Sequence, residues 1–238
     1  MCGRFAASDE INESISEFVE RTGRKPAEWS PDWEAAYNIA PTAQIPILLD
    51  SARTGELRFE RARWSLVPGW SKTLKLKIPT FNGRAEGILD KPTWRGPVKS
   101  HRAIVPATGF YEWTGERGSK TPWFMSSPDG AVLGLAGLYS WWRDHTKDDE
   151  DPDRWILTAT ILTSDAVHTL EDIHDRNPVI LPEELWAHWL DPTVTGDQAL
   201  VDEAVRAGVA QAEALRIDQV APFGSKDDGP QLIRPVSA

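Results

Sequence analysis

The 238-residue chain contains one cysteine, Cys2. That excludes an intramolecular disulfide and argues against a cysteine-built metal site, so Cys2 is either incidental or chemically employed. Long apolar runs are also missing. None approaches the roughly 20 residues that span a bilayer, and the opening Met1-Cys2-Gly3-Arg4-Phe5 lacks a signal peptide's hydrophobic stretch. The expectation is a cytoplasmic protein with no membrane partner. The five histidines show no metal-ligand spacing, and Gly134-Leu135-Ala136-Gly137 lacks the spacing of a nucleotide loop. Neither a metal nor a cofactor is expected, and no internal repeat is visible.

What remains, 40% hydrophobic residues without a long charge block, reads as one globular domain over residues 1–238, expected to act as a monomer. The net charge of −10 opposes indiscriminate binding to nucleic acid, which depends on phosphate neutralisation. The charge is segregated, however. From Arg58 to Arg102 there are eleven Lys or Arg against three acids, a local +8. Such a block is either a solvated face or the footprint of a polyanion. The run 144–153 is strongly acidic and reads as a solvated loop, with metal binding the remote alternative.

Ser8 and Asp9 stand where they can cap a helix whose apolar residues Ile11, Ile15, Phe18 and Val19 fall at helical spacing, with Gly23 as its stop. Residues 44–49 and 56–64 read as a hairpin. Further strands are expected at 103–105, 110–113, 121–126, 131–142 and 155–163, and helices at 164–172, 182–190 and 197–207. Strands following strands, with helices at the two ends, predict an α+β fold: a largely antiparallel sheet, with closure into a barrel as one form it can take, and peripheral helices.

Initiator methionine is normally removed before a small residue, so Met1-Cys2 predicts a mature chain that begins with a free cysteine. Its α-amine, with an ordinary pKa of about 7.7 to 8.0, is partly unprotonated at neutral pH, and a thiol lies two carbons away. Toward an aldehyde the amine condenses to an imine and the thiol closes a five-membered thiazolidine. The bland alternative is a small residue tolerated at a terminus.

Cys2-Gly3-Arg4-Phe5 resembles the opening motif of the SRAP (SOS response-associated peptidase) family, and five further motif segments follow in that family's order. Tyr37-Asn38-Ile39-Ala40-Pro41-Thr42 and Trp64-Ser65-Leu66-Val67-Pro68-Gly69-Trp70 come first, then Phe81-Asn82-Gly83-Arg84-Ala85-Glu86. Val105-Pro106-Ala107-Thr108-Gly109-Phe110-Tyr111-Glu112-Trp113 and Ile173-His174-Asp175-Arg176-Asn177-Pro178 complete the set. Gly83 stands where alanine is usual, Asn177 for methionine, Ser65 for glycine and Gly87 for a frequent threonine.

The resemblance implies covalent capture of abasic sites in single-stranded DNA, with Cys2 as nucleophile and Asn82, Glu112 and His174 around it. Glu112, between aromatic neighbours, is suited to proton transfer if desolvated; otherwise it is an exposed strand carboxylate. His174 is suited to protonating the sugar ring oxygen; otherwise it is a structural group. Asn82 is suited to holding the amine or a sugar hydroxyl; otherwise Asn82-Gly83 is a turn dipeptide. Arg4, Arg84 and Arg176 resemble phosphate-contacting positions. Among twelve tryptophans, Trp70, which precedes Lys72, Lys75 and Lys77, is the candidate for stacking on a base. Two other functions compete: a cysteine peptidase using Cys2 and His174, either general or autoproteolytic only, and a noncatalytic single-stranded DNA-binding module.

Overall fold

The apolar spacing that predicts the first helix places Ile11, Ile15, Phe18 and Val19 on one buried face of α1 (Glu10–Arg21) in the computed structural model, which describes residues 3–25, 29–51, 53–116 and 118–236. Before α1 comes β1 (Phe5–Ala7); after it come β2 (Ala36–Ile39), β3 (Gln44–Asp50), β4 (Leu57–Trp64), β5 (Asn82–Arg84) and α2 (Pro92–Ser100). The middle of the chain is β6 (Arg102–Ala107), β7 (Gly109–Thr114), β8 (Thr121–Ser126), β9 (Leu133–Arg143) and β10 (Trp155–Asp165). It ends with β11 (Arg176–Pro178), β12 (Ile180–Leu181), α3 (Trp186–Leu190), α4 (Gln198–Glu213) and β13 (Arg216–Gln219).

The fold is α+β, as expected, and the sheet does close. β3 and β4 form the expected hairpin, Leu48 opposite Phe59. β3 also pairs with β6, β6 with β9 and β9 with β10, all antiparallel. β10 then returns to β4 in parallel, Ala159 beside Trp64, and completes a five-stranded barrel. Strand alternation sorts the residues into two layers. Ile45, Ile47, Leu49, Ala103, Val105, Leu157 and Ala159 share the inner core. Leu48, Ile104, Ala136, Leu138 and Leu162 belong to a second core, built with the apolar faces of α1 to α4.

A second sheet, in the order β13-β8-β7-β1-β2, packs Phe5, Ile39, Phe110 and Met125 onto the inner core. Only Thr108 separates β6 from β7, so one strand path leaves the barrel and enters this sheet directly. Gly109 makes that corner feasible: a Cβ there would lie 2.4 Å from the Met125 carbonyl oxygen.

At the C-terminal end of β10 the β9 residues before Gly137 diverge from it, and the segment 176–181 wedges into the gap, β11 on β10 and β12 on β9. β5 lies parallel to β10, Asn82 beside Ile161 and Arg84 beside Thr163. Asn82-Gly83 is therefore strand and not a turn.

Two further expectations change. The predicted helix over 164–172 does not form, because β10 continues to Asp165 to pair with Arg176, leaving one 3-10 turn at His168–Leu170. Helices are not confined to the ends either. α2 lies mid-chain despite an internal Pro97, because Trp94 and Val98 bury one face and Pro92 occupies its first turn. Arg102 caps it: Nη1 donates to the Val98 and Lys99 carbonyls at 2.8 and 2.9 Å, while Nε donates to Trp189 O at 2.6 Å. One cation of the basic block is thus 1% exposed and structural. Two others are partnered, Arg58 by Glu60 and Arg61 by the Asp32 carbonyl at 2.7 Å.

Candidate functional site

Cys2 lies outside the described residues. Its neighbour Gly3 leads into β1, which runs antiparallel to β7 with Phe5 opposite Phe110. The Tyr111 N–H donates to the Arg4 carbonyl at 2.9 Å, so the ladder continues toward the start of the chain along the same stretch of β7 that carries Glu112.

Glu112 is 6% exposed, which rules out the solvated-carboxylate alternative. Burial, aided by the negative charge of Asp175 and opposed by Lys120, pushes its carboxyl up to about 7. A group with that value exchanges protons readily at neutral pH.

His174 sits two residues before β11, and its side chain is 29% exposed. Its Nδ1 lies 3.0 Å from the Arg176 backbone N–H, which it can accept. Asp175 Oδ1 lies 2.7 Å from the same Nδ1 and favours the charged ring. Desolvation outweighs it and lowers the histidine below its ordinary range, with Lys120 acting in the same direction. Asp175 and Lys120 therefore influence both Glu112 and His174, which marks the two as members of one electrostatic neighbourhood. The sequence carries no signal for Asp175 or Lys120 beyond their charge.

Asn82, half-buried, opens β5. The preceding carbonyl, Phe81 O, accepts the Ile161 N–H at 3.1 Å and the Trp64 indole N–H at 2.8 Å, which fixes the strand's start against the barrel. Gly83 is buried behind it, with Leu162, Ile88 and Trp94 around the space its missing Cβ would enter.

The three arginines differ. Arg84 is exposed. Arg4 donates through Nη1 to Asn38 Oδ1 at 2.9 Å and borders a cleft of about 460 Å³ with Trp113, Lys120 and Phe223. Arg176 is 6% exposed; it donates to Asp165 Oδ1 at 2.5 Å, Glu86 Oε2 at 2.8 Å and Thr163 O at 2.6 Å. Two carboxylates and a carbonyl already occupy the fork expected to grip phosphate, so the geometry makes Arg176 a brace between β10, β11 and the segment after β5. Trp70 is 68% exposed on a loop closed at its neck by Leu66 N–H to Thr80 O at 3.2 Å. The loop is stitched to β9 by the Trp142 indole N–H, which donates to Ser71 O at 2.8 Å. Among the described residues no helix is long and apolar enough to cross a membrane.

The chain is similar over its length to proteins named for abasic-site processing. It is 32% identical to YoqW of Bacillus subtilis over 98% of this chain and 99% of that one. It is 31% identical to YedK of Escherichia coli over 99% and 100%, and 29% identical to HMCES of Gallus gallus over 99% and 78%. Among solved structures, a Bacteroides thetaiotaomicron protein superposes with a TM-score of 0.74 at 22% identity over 99% of this chain and 100% of that one. A phage-related protein of Bordetella bronchiseptica gives 0.67 at 27% identity over 93% and 95%. The model of the SOS response associated peptidase (SRAP) family matches residues 1–222, and the chain belongs to that family.

Proposed function

We propose that this protein captures abasic sites in single-stranded DNA covalently through Cys2, once Met1 has been removed. The reaction begins with the closed hemiacetal of the abasic sugar. His174 passes a proton to the ring oxygen while the C1′ hydroxyl gives up its own, and the C1′–O bond breaks to leave the aldehyde. The Cys2 amine adds to C1′, and the resulting hydroxyl leaves as water, with Glu112 supplying the proton, to give an imine. The thiol then adds across the C=N bond, its sulfur to C1′ and its proton to nitrogen. The net change is aldehyde plus aminothiol to thiazolidine plus one water.

The observation that carries this reading is the pairing of β1 with β7. It runs the chain from Gly3 alongside a buried carboxyl held near neutrality, and peptide geometry keeps Cys2 within roughly 4 Å of Gly3 from Cα to Cα. The relatives' names supply the lesion. Asn82 would hold the amine or a sugar hydroxyl. Arg84 and Arg4 would take the flanking phosphates, Trp70 would stack on a base, and Arg176 would act from behind by holding the His174 segment in place.

The test is incubation of purified protein with a single strand carrying one abasic site, followed by a denaturing gel, with Cys2→Ala as control. A slow-migrating species from wild type only, carrying the thiazolidine mass, supports covalent capture. DNA binding without that species favours the noncatalytic module, and cleavage of peptide substrates in its place favours the peptidase.

A further inference from the structure

The barrel has two mouths, and apart from Trp70, whose loop reaches back to Trp141 and Trp142 on β9, the candidate site uses the elements that leave one of them, at Trp64, Ala107 and Asp165. At the opposite mouth β3 ends at Asp50, β4 begins at Leu57, β6 begins at Arg102, β9 ends at Arg143 and β10 begins at Trp155. There the barrel opens into a cleft of about 490 Å³, lined by Arg53, Arg58, His101, Tyr139, Trp141 and Trp155 along with Ser51. That volume lies within the ordinary range for small-molecule sites, about 300–1,000 Å³.

Its chemistry is that of a site for an anionic ring. Trp155 pairs across the strands with Arg143, and Trp141 with Leu157, so the indoles are diagonal neighbours on one face. They are 46% and 36% exposed, unusual for such large apolar surfaces, and among the described residues they make no ring contact with each other. Tyr139 forms the floor. It is 4% exposed, packs edge-on against His101 at 5.1 Å, and its hydroxyl makes no hydrogen bond among the described residues. Burial pushes that phenol up to about 12, so it remains a neutral donor. Beside the cleft Asp50 is engaged by Arg24, and Arg58 pairs with Glu60 through Nη2, while Arg53 is an exposed cation on the rim.

The hairpin loop 144–153 restricts the size of the occupant. It joins β9 to β10 at this same mouth and is rich in acids; Asp149 pairs with Arg143, and Lys147 lies 3.5 Å from Asp151. A long polyanion continuing past the rim would meet that negative charge, whereas a ligand with one phosphate and one ring would not.

We infer that the far mouth of the barrel is a second binding site, for a mononucleotide: its base lies against Trp155 and Trp141, Tyr139 donates to it, and its phosphate is held by Arg53 and by the Arg58 N–H groups other than Nη2, which pairs with Glu60. The site is separate from the Cys2 centre and does not depend on how that centre works.

Adenosine 5′-monophosphate titrated into the full chain is the probe, followed by tryptophan fluorescence and by the indole N–H signals. We expect saturable changes at Trp141 and Trp155 with a Kd at or below about 1 mM. Adenosine and ribose 5-phosphate should each bind at least about tenfold more weakly, because each lacks one of the two recognised parts. Trp155→Ala and Arg58→Gln should each weaken binding by a similar factor, while Trp155→Ala captures abasic DNA at the wild-type rate. Signals that do not move, or variants that bind as wild type does, overturn the site. The wild-type spectra decide the matter even if a variant fails to fold. An undamaged single strand that shifts the same signals at lower concentration overturns the mononucleotide as occupant.

Discussion

Arg176 donates to the Glu86 carboxylate at 2.8 Å and thereby ties the segment after β5 to the start of β11, ninety residues later. Asn82 and His174 flank that tie in sequence, which makes the bond a determinant of how the two sides of the site meet. Glu86 and Asp165 have side chains 51% and 86% exposed, so water can resolvate them if the arginine is lost. The buried Thr163 carbonyl loses a donor. Arg176→Gln should therefore cost about 2 kcal/mol, a fall in Tm of about 4–8 °C for a chain of this size. Calorimetry checks this, and an unchanged Tm with weakened DNA binding would return Arg176 to the phosphate role.

Glu112 gives stability a pH dependence. In the fold it keeps its proton up to about pH 7, whereas an unfolded glutamate releases it near about 4.3. The folded state binds more protons between those values, so this contribution is full below about pH 4.3 and is lost as pH rises toward 7. Glu112→Gln removes the slope. Across that window the variant should gain on wild type by on the order of 3–4 kcal/mol, read by urea unfolding at several pH values. Parallel curves for the two proteins would mean that the carboxyl is not desolvated.

Capture kinetics should report the same group. The rate at which wild type forms the covalent species is expected to show an inflection near pH 7, which Glu112→Gln abolishes while lowering the rate by about 10²-fold or more. A single-turnover time course on abasic DNA measures it; an inflection surviving the substitution assigns it to another group.

Gly83→Ala should stabilise the protein. Gly83 is not held at a positive φ, and the nearest neighbour of an added Cβ would be a Leu162 methyl at 3.3 Å, the end of a side chain able to shift slightly. Restricting the unfolded chain is worth about 0.5–1 kcal/mol. A Tm lowered by more than about 3 °C would show that the packing around Leu162 does not yield.

Trp70→Ala and Arg84→Ala should weaken binding to undamaged single strands and leave Tm unchanged, because both side chains are exposed. The tryptophan is expected to contribute about 1–3 kcal/mol, nearly independent of salt, and the arginine to lower the salt slope by about 0.7. Anisotropy titrations at several salt concentrations separate the two. Equal affinity in both variants would remove this loop and β5 from the DNA path.

Local pattern was enough for much of the fold. The spacing of Ile11, Ile15, Phe18 and Val19 specified α1, and the strands read at 44–49, 56–64 and 121–126 match β3, β4 and β8 to within a residue or two, because each signal concerns neighbours in the chain. The motif segments likewise named Asn82, Glu112 and His174 before any geometry. Tertiary structure decided what those residues experience. β10 extended through a segment with helical signals because Arg176, eleven residues beyond Asp165, offered it a strand partner. Asn82-Gly83 became strand because the edge of β10 was open beside it. Arg102 and Arg176 look like members of a cationic surface in one dimension; in three they are buried braces, because carbonyls and carboxylates remote in sequence converge on their guanidinium groups. Charge is a property of the residue, whereas burial and partnership belong to the assembled barrel, and those set the Glu112 carboxyl near neutrality.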